Sequence, residues 1–487
     1  MPVTFVTAFI DLGEDRSKDK SVDTCFTLFK QLAKTGITLH LFLSPSYSET
    51  YTRIVGAPEN VKVTFLELSD LETYRELVGL EYKLPVIRTP HHDTKNFMIL
   101  MNSKIEFVHR AAAMGESSHY AWIDFSIFHV FRDPVGSAAY LRMLGASSLQ
   151  DTCLAFPGCW QKGANFSAVN WRFCGGFFLG DKASLETMYE MYRTHFKRIV
   201  QLSGLTWEVN MWAYLEYTVG WSPTWFLADH NDSIVRIPGD TFRVVASLTT
   251  IPPRVESCRL AIDSLLGQVD HIYLSVASTY MRFGDWIVPS YLQEEPYHSK
   301  VTVVLTEDRG PATKYVGALA SIPDKPWMFI CDDDQEYHPT LLDRMKAGIK
   351  DYAVYQNHYE SIRQKTSGGL IHGYVGLLVH STALDAMPDF PLPPSAYFVD
   401  DQWMSIYCYL RCIRVRPTTA ETYQQIYKVL DGWHEKLGVD SLAGLHNRAD
   451  KVREIEEFFG VEFTAGGGVT VRNKFEGCVG GNYKLPS

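Results

Sequence analysis

Twice along this chain a strand-like apolar run is followed by one amphipathic helical stripe and then by a second strand-like run. That repeat restricts the fold more than any other feature. In the first half Thr4 to Ile10 opens, Val22, Cys25, Phe26, Phe29, Leu32 and Ala33 share a helical face, and Ile37 to Leu43 and Val61 to Leu68 return as strands. In the second half Phe242 to Leu248 opens, Val255, Cys258, Ile262, Leu265 and Leu266 mark the helix, and His271 to Val276 returns. Parallel neighbours need a helical crossover, so two such openings predict an α/β protein with two mostly parallel sheets. The length of 487 residues agrees, because single cores stop growing at roughly 250 to 300 residues. Ser222 to Ile237 closes the first pattern, and Pro238, Gly239 and Asp240 break the chain. Domains are therefore predicted over residues 1–238 and 239–463. The glycine-rich stretch 464–487 reads as a tail or late docking segment without chemistry.

Charge and composition exclude several classes. A formal net charge of -10 argues against nucleic acid as the main partner, since phosphate backbones are bound by clustered Lys and Arg. No segment approaches a run of 18 apolar residues, and the N-terminus enters a strand without a basic start and a cleavage site. Neither a transmembrane segment nor a secretory signal is expected. Nine cysteines are too sparse for a disulfide scaffold. A reducing cytoplasm is the expected location. Cys408 and Cys412, at helical spacing, read as core packing rather than half of a zinc site.

Trp327 to Cys331 is a buried-strand pattern that runs straight into Asp332, Asp333 and Asp334. Adjacent carboxylates at a strand end repel one another unless water or a cation relieves them. Ligands of open α/β sheets bind beyond the carboxyl ends of strands, so a divalent ion bridging a diphosphate would sit here, and Mg²⁺ or Mn²⁺ fits oxygen ligands. An acidic loop start or helix cap reads the same way. Upstream, Glu307 to Lys314 carries a Gly310-Pro311 turn after the strand Val301 to Leu305, which can aim Thr313 and Lys314 at a phosphate. An ordinary capped helix start is the alternative.

Asp308-Arg309-Gly310-Pro311-Ala312-Thr313-Lys314 followed by the Asp-rich strand end resembles a group of GT-A glycosyltransferases of bacterial and large-DNA-virus glycan pathways, over most of residues 242–463. The resemblance implies a Rossmann-like nucleotide-binding half with a DXD-type metal site for Mn²⁺ or Mg²⁺ and a nucleotide-sugar donor, UDP being the commonest in such enzymes. It implies Asp332 and Asp334 at the metal and ribose, with Asp334 the preferred direct ligand, and Asp308 and Lys314 at the diphosphate. Thr249, Thr250 and Arg254 would line the nucleoside pocket. Asp401, opening a helix after Asp400, stands where inverting enzymes of this type place their base; both acids would equally serve as helix caps. Gly373, Tyr374, Val375 and Gly376 resemble the small-residue loop at the donor sugar, or a bare turn. A late histidine often completes the metal site, and His446 is best placed, with His434 competing.

In the first half Phe5 to Asp11, Asn102-Ser103-Lys104, Tyr120 to Phe125 and Phe173 to Phe177 recur in the order of the HtrL/YibB-like family, over roughly residues 3–235. That family is glycosyltransferase-like. The resemblance implies Thr7, Lys104, Gly175 and Gly176 at the donor, Asp124 and His230 as metal ligands and Glu208 as base. Each also reads as an ordinary structural residue. The pattern departs from a metal motif at Ser126, where a second acid is missing, which leaves a metal-poor or inactive site open.

The expectation is thus two tandem GT-A-like domains, both transferring sugar to a glycan or glycoconjugate acceptor in a bacterial or virus-infected host cytosol. A variant keeps only the second domain catalytic and makes the first an acceptor-binding module. A nucleotidyltransferase would carry a Gly-rich, basic loop after its first strand, where this chain has Ser247 to Arg254. A carbohydrate-binding protein would not need Asp308, Lys314 and Asp334 in that order.

Overall fold

The computed structural model describes residues 3–14, 20–163, 168–356, 371–373, 376–418, 427–429, 442, 446–463 and 469–471. The chain forms two compact units, Met1–Thr241 and Phe242–Ser487.

In the first unit the strands are β1 (Thr4–Phe9), β2 (Leu39–Leu43), β3 (Val61–Phe65), β4 (His119–Ile123), β5 (Leu154–Gly158), β6 (Phe177–Asp181) and β7 (Thr224–Leu227). They form one sheet in the order β3-β2-β1-β4-β6-β5-β7. All neighbours are parallel except β6, which runs against both β4 and β5. The first crossover is the Val22–Ala33 helix, started by the Ser21 hydroxyl accepting from the Thr24 N–H, with Phe26, Phe29, Leu32 and Ala33 buried. β3 is shorter than its apolar run, because Glu67 and Asp70 cap each other's backbone and turn Leu68–Asp70 into a 3₁₀ helix.

The second unit has β8 (Val244–Thr249), β9 (His271–Ala277), a small hairpin of β10 (Thr279–Tyr280) and β11 (Gly284–Asp285), then β12 (Val301–Thr306), β13 (Trp327–Ile330) and β14 (Gln335–Tyr337). β15 (Val354–Gln356), β16 (Leu377–His380) and β17 (Val415–Pro417) come next. Its main sheet runs β12-β9-β8-β13-β16-β15-β17. Numbered along the chain, those seven strands take the same 3-2-1-4-6-5-7 order as the first sheet. Again only the sixth strand, β16, is antiparallel to its neighbours. The chain is therefore an α/β protein of two Rossmann-like sheets. β13 is buried at every position, as expected of a strand covered on both faces. The Val255–Leu265 helix buries Cys258, Ala261, Ile262 and Leu265.

Cys408 and Cys412 do not pack as a pair. Cys408 is buried in the Asp400–Leu410 helix, while Cys412 lies past its end, exposed, with φ +55°. Of the glycine-rich tail, Val469–Val471 pairs with Val461–Phe463, and its remaining residues lie outside the described residues, as do Tyr374, Val375 and His434. No helix among the described residues is long and apolar enough to cross a membrane.

Candidate functional site

In the second unit the chain leaves β8 toward β9 and β12 on one side and places β13 on the other, so the order reverses between β8 and β13. Such a switch point opens a crevice past the carboxyl ends of the two strands. Thr249, Thr250 and Arg254 lie at and beyond the end of β8 there, and Asp332, Asp333 and Asp334 lie beyond β13.

The three acids have different partners. Asp332 Oδ1 accepts from Lys314 Nζ at 2.5 Å, and the same ammonium lies 2.8 Å from Asp400 Oδ2. Asp333 accepts from Thr250 Oγ1 at 2.5 Å and from Arg254 at 3.1 Å. Asp334 accepts from the Gln335 amide at 3.0 Å, with Arg254 3.9 Å away. Burial, then the charges of Asp332 and Asp333, push the Asp334 carboxyl up to about 7. Asp401 opens the Asp400–Leu410 helix; its Oδ1 accepts the Gly373 N–H at 2.7 Å and its Oδ2 lies 3.7 Å from Arg448. Burial, then Asp400, raise Asp401 to about 7 against the pull of Lys314.

Several expected donor contacts have other partners. Lys314, expected at a diphosphate, is 2% exposed and engaged by two carboxylates. Thr250 and Arg254, expected at a nucleoside, hold Asp333. Asp308 accepts from the Gly310 N–H at 3.0 Å, the Met281 N–H at 3.2 Å and the Tyr397 hydroxyl at 3.0 Å. Those bonds shape the loop, in which Gly310 has φ +59° and a Cβ would come 2.6 Å from the Tyr397 carbonyl oxygen. Thr249 ends β8 half-buried. Gly376 has φ +85° against the Phe329 ring, where a Cβ would clash at 2.3 Å.

A divalent cation at the end of β13 has a mixed fit. Among the described residues no three His, Cys, Asp or Glu side chains converge as a metal centre, so the structure does not join Asp332, Asp334 and His446, nor Asp124 and His230, into such a set. The His446 ring packs on Phe398 at 4.6 Å, and burial, Lys451 and Arg448 lower its basicity. Asp334 is nevertheless a hard oxygen donor whose charge is opposed by burial and by two acids. Mg²⁺-type ions are commonly held by one or two carboxylates with substrate phosphates completing the shell. The exposed edge of a single carboxylate such as Asp334 is compatible with that mode and, among the described residues, with no fuller protein cage.

The first unit reverses strand order between β1 and β4, and Asp124 comes directly after β4. Its Oδ1 accepts from Trp122 Nε1 at 2.8 Å and lies 3.1 Å from Lys104 Nζ. Lys104 also donates to Glu208 Oε1 and to the Gly175 carbonyl, both at 2.8 Å. Gly176 packs beside Asp124, where a Cβ would be 3.5 Å from Oδ2. His230 is exposed, its ring 5.6 Å from that of His129. Thr7 is buried inside β1, and its hydroxyl has no hydrogen-bond partner among the described residues. A separate cleft of about 570 Å³ in this unit includes His109, Arg110, Glu72 and Tyr189. Arg110 pairs with Glu106 and Tyr189 donates to Glu72, while His109 Nδ1 lies 2.8 Å from Glu186 without a formed hydrogen bond.

Sequence reading missed Asp400 as a partner of Lys314, Asp333 as the anchor of Thr250 and Arg254, and Trp122 as a donor to Asp124. Only Trp122 left a signal, because residues two apart on a strand share a face. No family model matches this chain, and no curated protein does. Among solved structures it is similar to the mannosyltransferase PcManGT from Pyrobaculum calidifontis in complex with GDP-Man and Mn²⁺, at 15% identity and a TM-score of 0.27. That match covers 36% of this chain and 54% of the other, so this chain spans about half the length of the protein it matches. A likeness this low fixes no activity.

Proposed function

We propose that the second unit is a glycosyltransferase that moves a sugar from a nucleotide-sugar donor to a hydroxyl of a glycan or glycoconjugate. The observation that supports it is the meeting, at one strand-order switch point, of an acid cluster after β13 and the Asp401 helix start, bridged by Lys314. The motif Asp308 to Lys314 in front of that cluster belongs to the same reading.

In this reading Asp401 takes the proton of the acceptor hydroxyl as that oxygen bonds to the sugar C1. The C1–oxygen bond to the diphosphate breaks, and its electron pair leaves on the diphosphate. Inversion at C1 results from that in-line displacement. Asp334 would hold a divalent cation, which when bound would supply positive charge to offset that of the diphosphate. Asp333 orders the β8 end through Thr250 and Arg254, which keeps the crevice wall in place. Incubation of the full chain with UDP-, GDP- and dTDP-sugars and Mn²⁺ tests the proposal by release of nucleoside diphosphate. A carbohydrate-binding protein releases none, and a nucleotidyltransferase releases pyrophosphate from a nucleoside triphosphate instead.

One observation favours a second reading, in which the first unit also transfers sugar. Asp124, Lys104 and Glu208 repeat at its own switch point the contacts of Asp332, Lys314 and Asp400. Two sites on one chain would raise the local concentration of the first product near the second. Inactivating Asp334 and finding a residual transfer that Glu208→Gln removes would establish it.

A further inference from the structure

Lys104 and Lys314 each lie between the third and fourth strands of a sheet with the same strand order. Each lysine is 2% exposed and sits between the acid just past the fourth strand and an acid that opens a helix between the sixth and seventh strands, Glu208 of Glu208–Thr218 and Asp400 of Asp400–Leu410. An ammonium has three N–H donors. Those of Lys104 face Asp124, Glu208 and the Gly175 carbonyl, so none is left over for a phosphate. Lys314 faces Asp332 and Asp400.

A glycine shortly before the sixth strand closes each cluster, Gly175 ahead of Phe177 and Gly373 ahead of Leu377. On Gly175 a Cβ would come 2.0 Å from Glu208 Oε1 and 3.2 Å from Lys104 Nζ. On Gly373 it would come 2.8 Å from both Asp401 Oδ1 and the Tyr315 hydroxyl, and 3.2 Å from Lys314 Nζ. Both glycines let the loop backbone approach the helix acid. In the second unit that approach makes the hydrogen bond from the Gly373 N–H to Asp401.

We propose that Lys314 is a positioning residue, a buried strut that ties the end of β13 to the start of the Asp400–Leu410 helix and thereby sets Asp401 against Gly373, and that Lys104 is the same strut in the first unit. Neither lysine touches the donor diphosphate. The use to which the strut is put rests on the transferase reading; the strut itself does not.

The test compares Lys314→Met with the full-length wild-type chain by three readouts. Hydrogen exchange reports protection of the Gly373 amide, calorimetry reports the affinity for UDP and GDP with Mn²⁺, and steady-state kinetics separates kcat from donor KM. The strut predicts that Gly373 protection falls about tenfold or more, that nucleotide affinity stays within about threefold, and that kcat falls with donor KM nearly unchanged. A drop in nucleotide affinity of about tenfold or more would make Lys314 a phosphate ligand and overturn the proposal. Unchanged Gly373 protection would overturn it as well. If Lys314→Met does not fold, Asp400→Asn keeps the lysine and its other partner and should lower Gly373 protection in the same direction; no change there counts against the strut. If even the wild-type chain neither binds nucleotide nor transfers sugar, the functional reading fails, and the exchange of Gly373 still decides the strut.

Discussion

The two units share a sheet order and a buried lysine strut, yet their sequences part immediately after the fourth-strand acid and again after the acid at the helix start. After Asp332 come Asp333 and Asp334, whereas after Asp124 come Phe125 and Ser126. Asp333 holds Thr250 and Arg254 across the crevice, while Phe125 stacks on Phe29 at 4.5 Å and joins Phe9 and Phe26 in the core. After Asp400 comes Asp401; after Glu208 comes Val209, which is buried. The lysine-centred contacts are thus common to both units, and the units differ in the acids that follow them. At the strand-order switch, among the described residues, the second unit adds carboxylates at Asp334 and Asp401 whose charge burial and neighbouring acids oppose, and groups perturbed in this way cluster at functional sites.

The sharpest way to break this contrast is to remove one acid from each unit. Asp334→Ala is expected to lower transfer roughly 10³-fold or more, because the holding carboxylate for the cation is lost. Asp124→Ala is expected to leave the same reaction unchanged. Nucleoside diphosphate release measured on both variants decides it, and equal losses would make the first unit a catalyst in its own right. Next in size, Asp401→Asn is expected to cost about 10²- to 10⁴-fold in kcat, the usual contribution of a general base. The base must be ionised, and burial with Asp400 beside it raises Asp401 to about 7. The wild-type rate should therefore climb as pH rises through about 7, and that limb should be shallower in Asp401→Asn, where only Asp334, also raised to about 7, still has to ionise. Glu208→Gln should leave the profile as it is.

A smaller effect tests the shared scaffold. Gly175→Ala drives a methyl to 2.0 Å from Glu208 Oε1, and Gly373→Ala only to 2.8 Å from Asp401 Oδ1. Overpacking of this kind typically costs about 1 to 3 kcal/mol. The first-unit variant is expected to lose more stability in urea unfolding, and the reverse order would mean that the Glu208 side chain swings away freely.

Much of the fold was legible because it rests on periodicity. Phe26, Phe29 and Leu32, or Cys258, Ile262 and Leu265, recur at helical spacing whatever packs against them, and each is buried. The strand-order switch was not legible, since which strand lies beside β8 or β1 is decided by long-range pairing. The site was legible as residue types and not as partnerships. Asp332, Lys314, Asp400 and Asp401 stand out in the sequence, but Lys314 looks the same on paper whether it meets a phosphate or two carboxylates. Thr7 is a related case: the sequence marks it as a motif residue, and the fold buries it inside β1.

The smallest expected effect comes from one buried histidine in each unit. His40, on β2, has Nε2 2.8 Å from the Thr64 hydroxyl, and burial with Lys62 nearby lowers it to about 4. His380 ends β16, its Nδ1 accepts the Thr382 N–H, and burial with Lys325 nearby lowers it to about 3. An accepting Nδ1 needs the lone pair of the neutral ring, which agrees in direction. The ordinary histidine value is 6.5, so below it the unfolded chain takes up a proton that the folded chain refuses. Each histidine thus contributes stability that is fully present above 6.5 and lost as pH falls, ending near 4 for His40 and near 3 for His380. His380→Phe should flatten the decline of stability between those pH values, and His40→Phe should do so over a window that closes earlier. Urea unfolding at a series of pH values measures both slopes. An acid limb as steep in His380→Phe as in the wild type would mean that this ring is protonated in the folded second unit and that the two histidines are not equivalent burials.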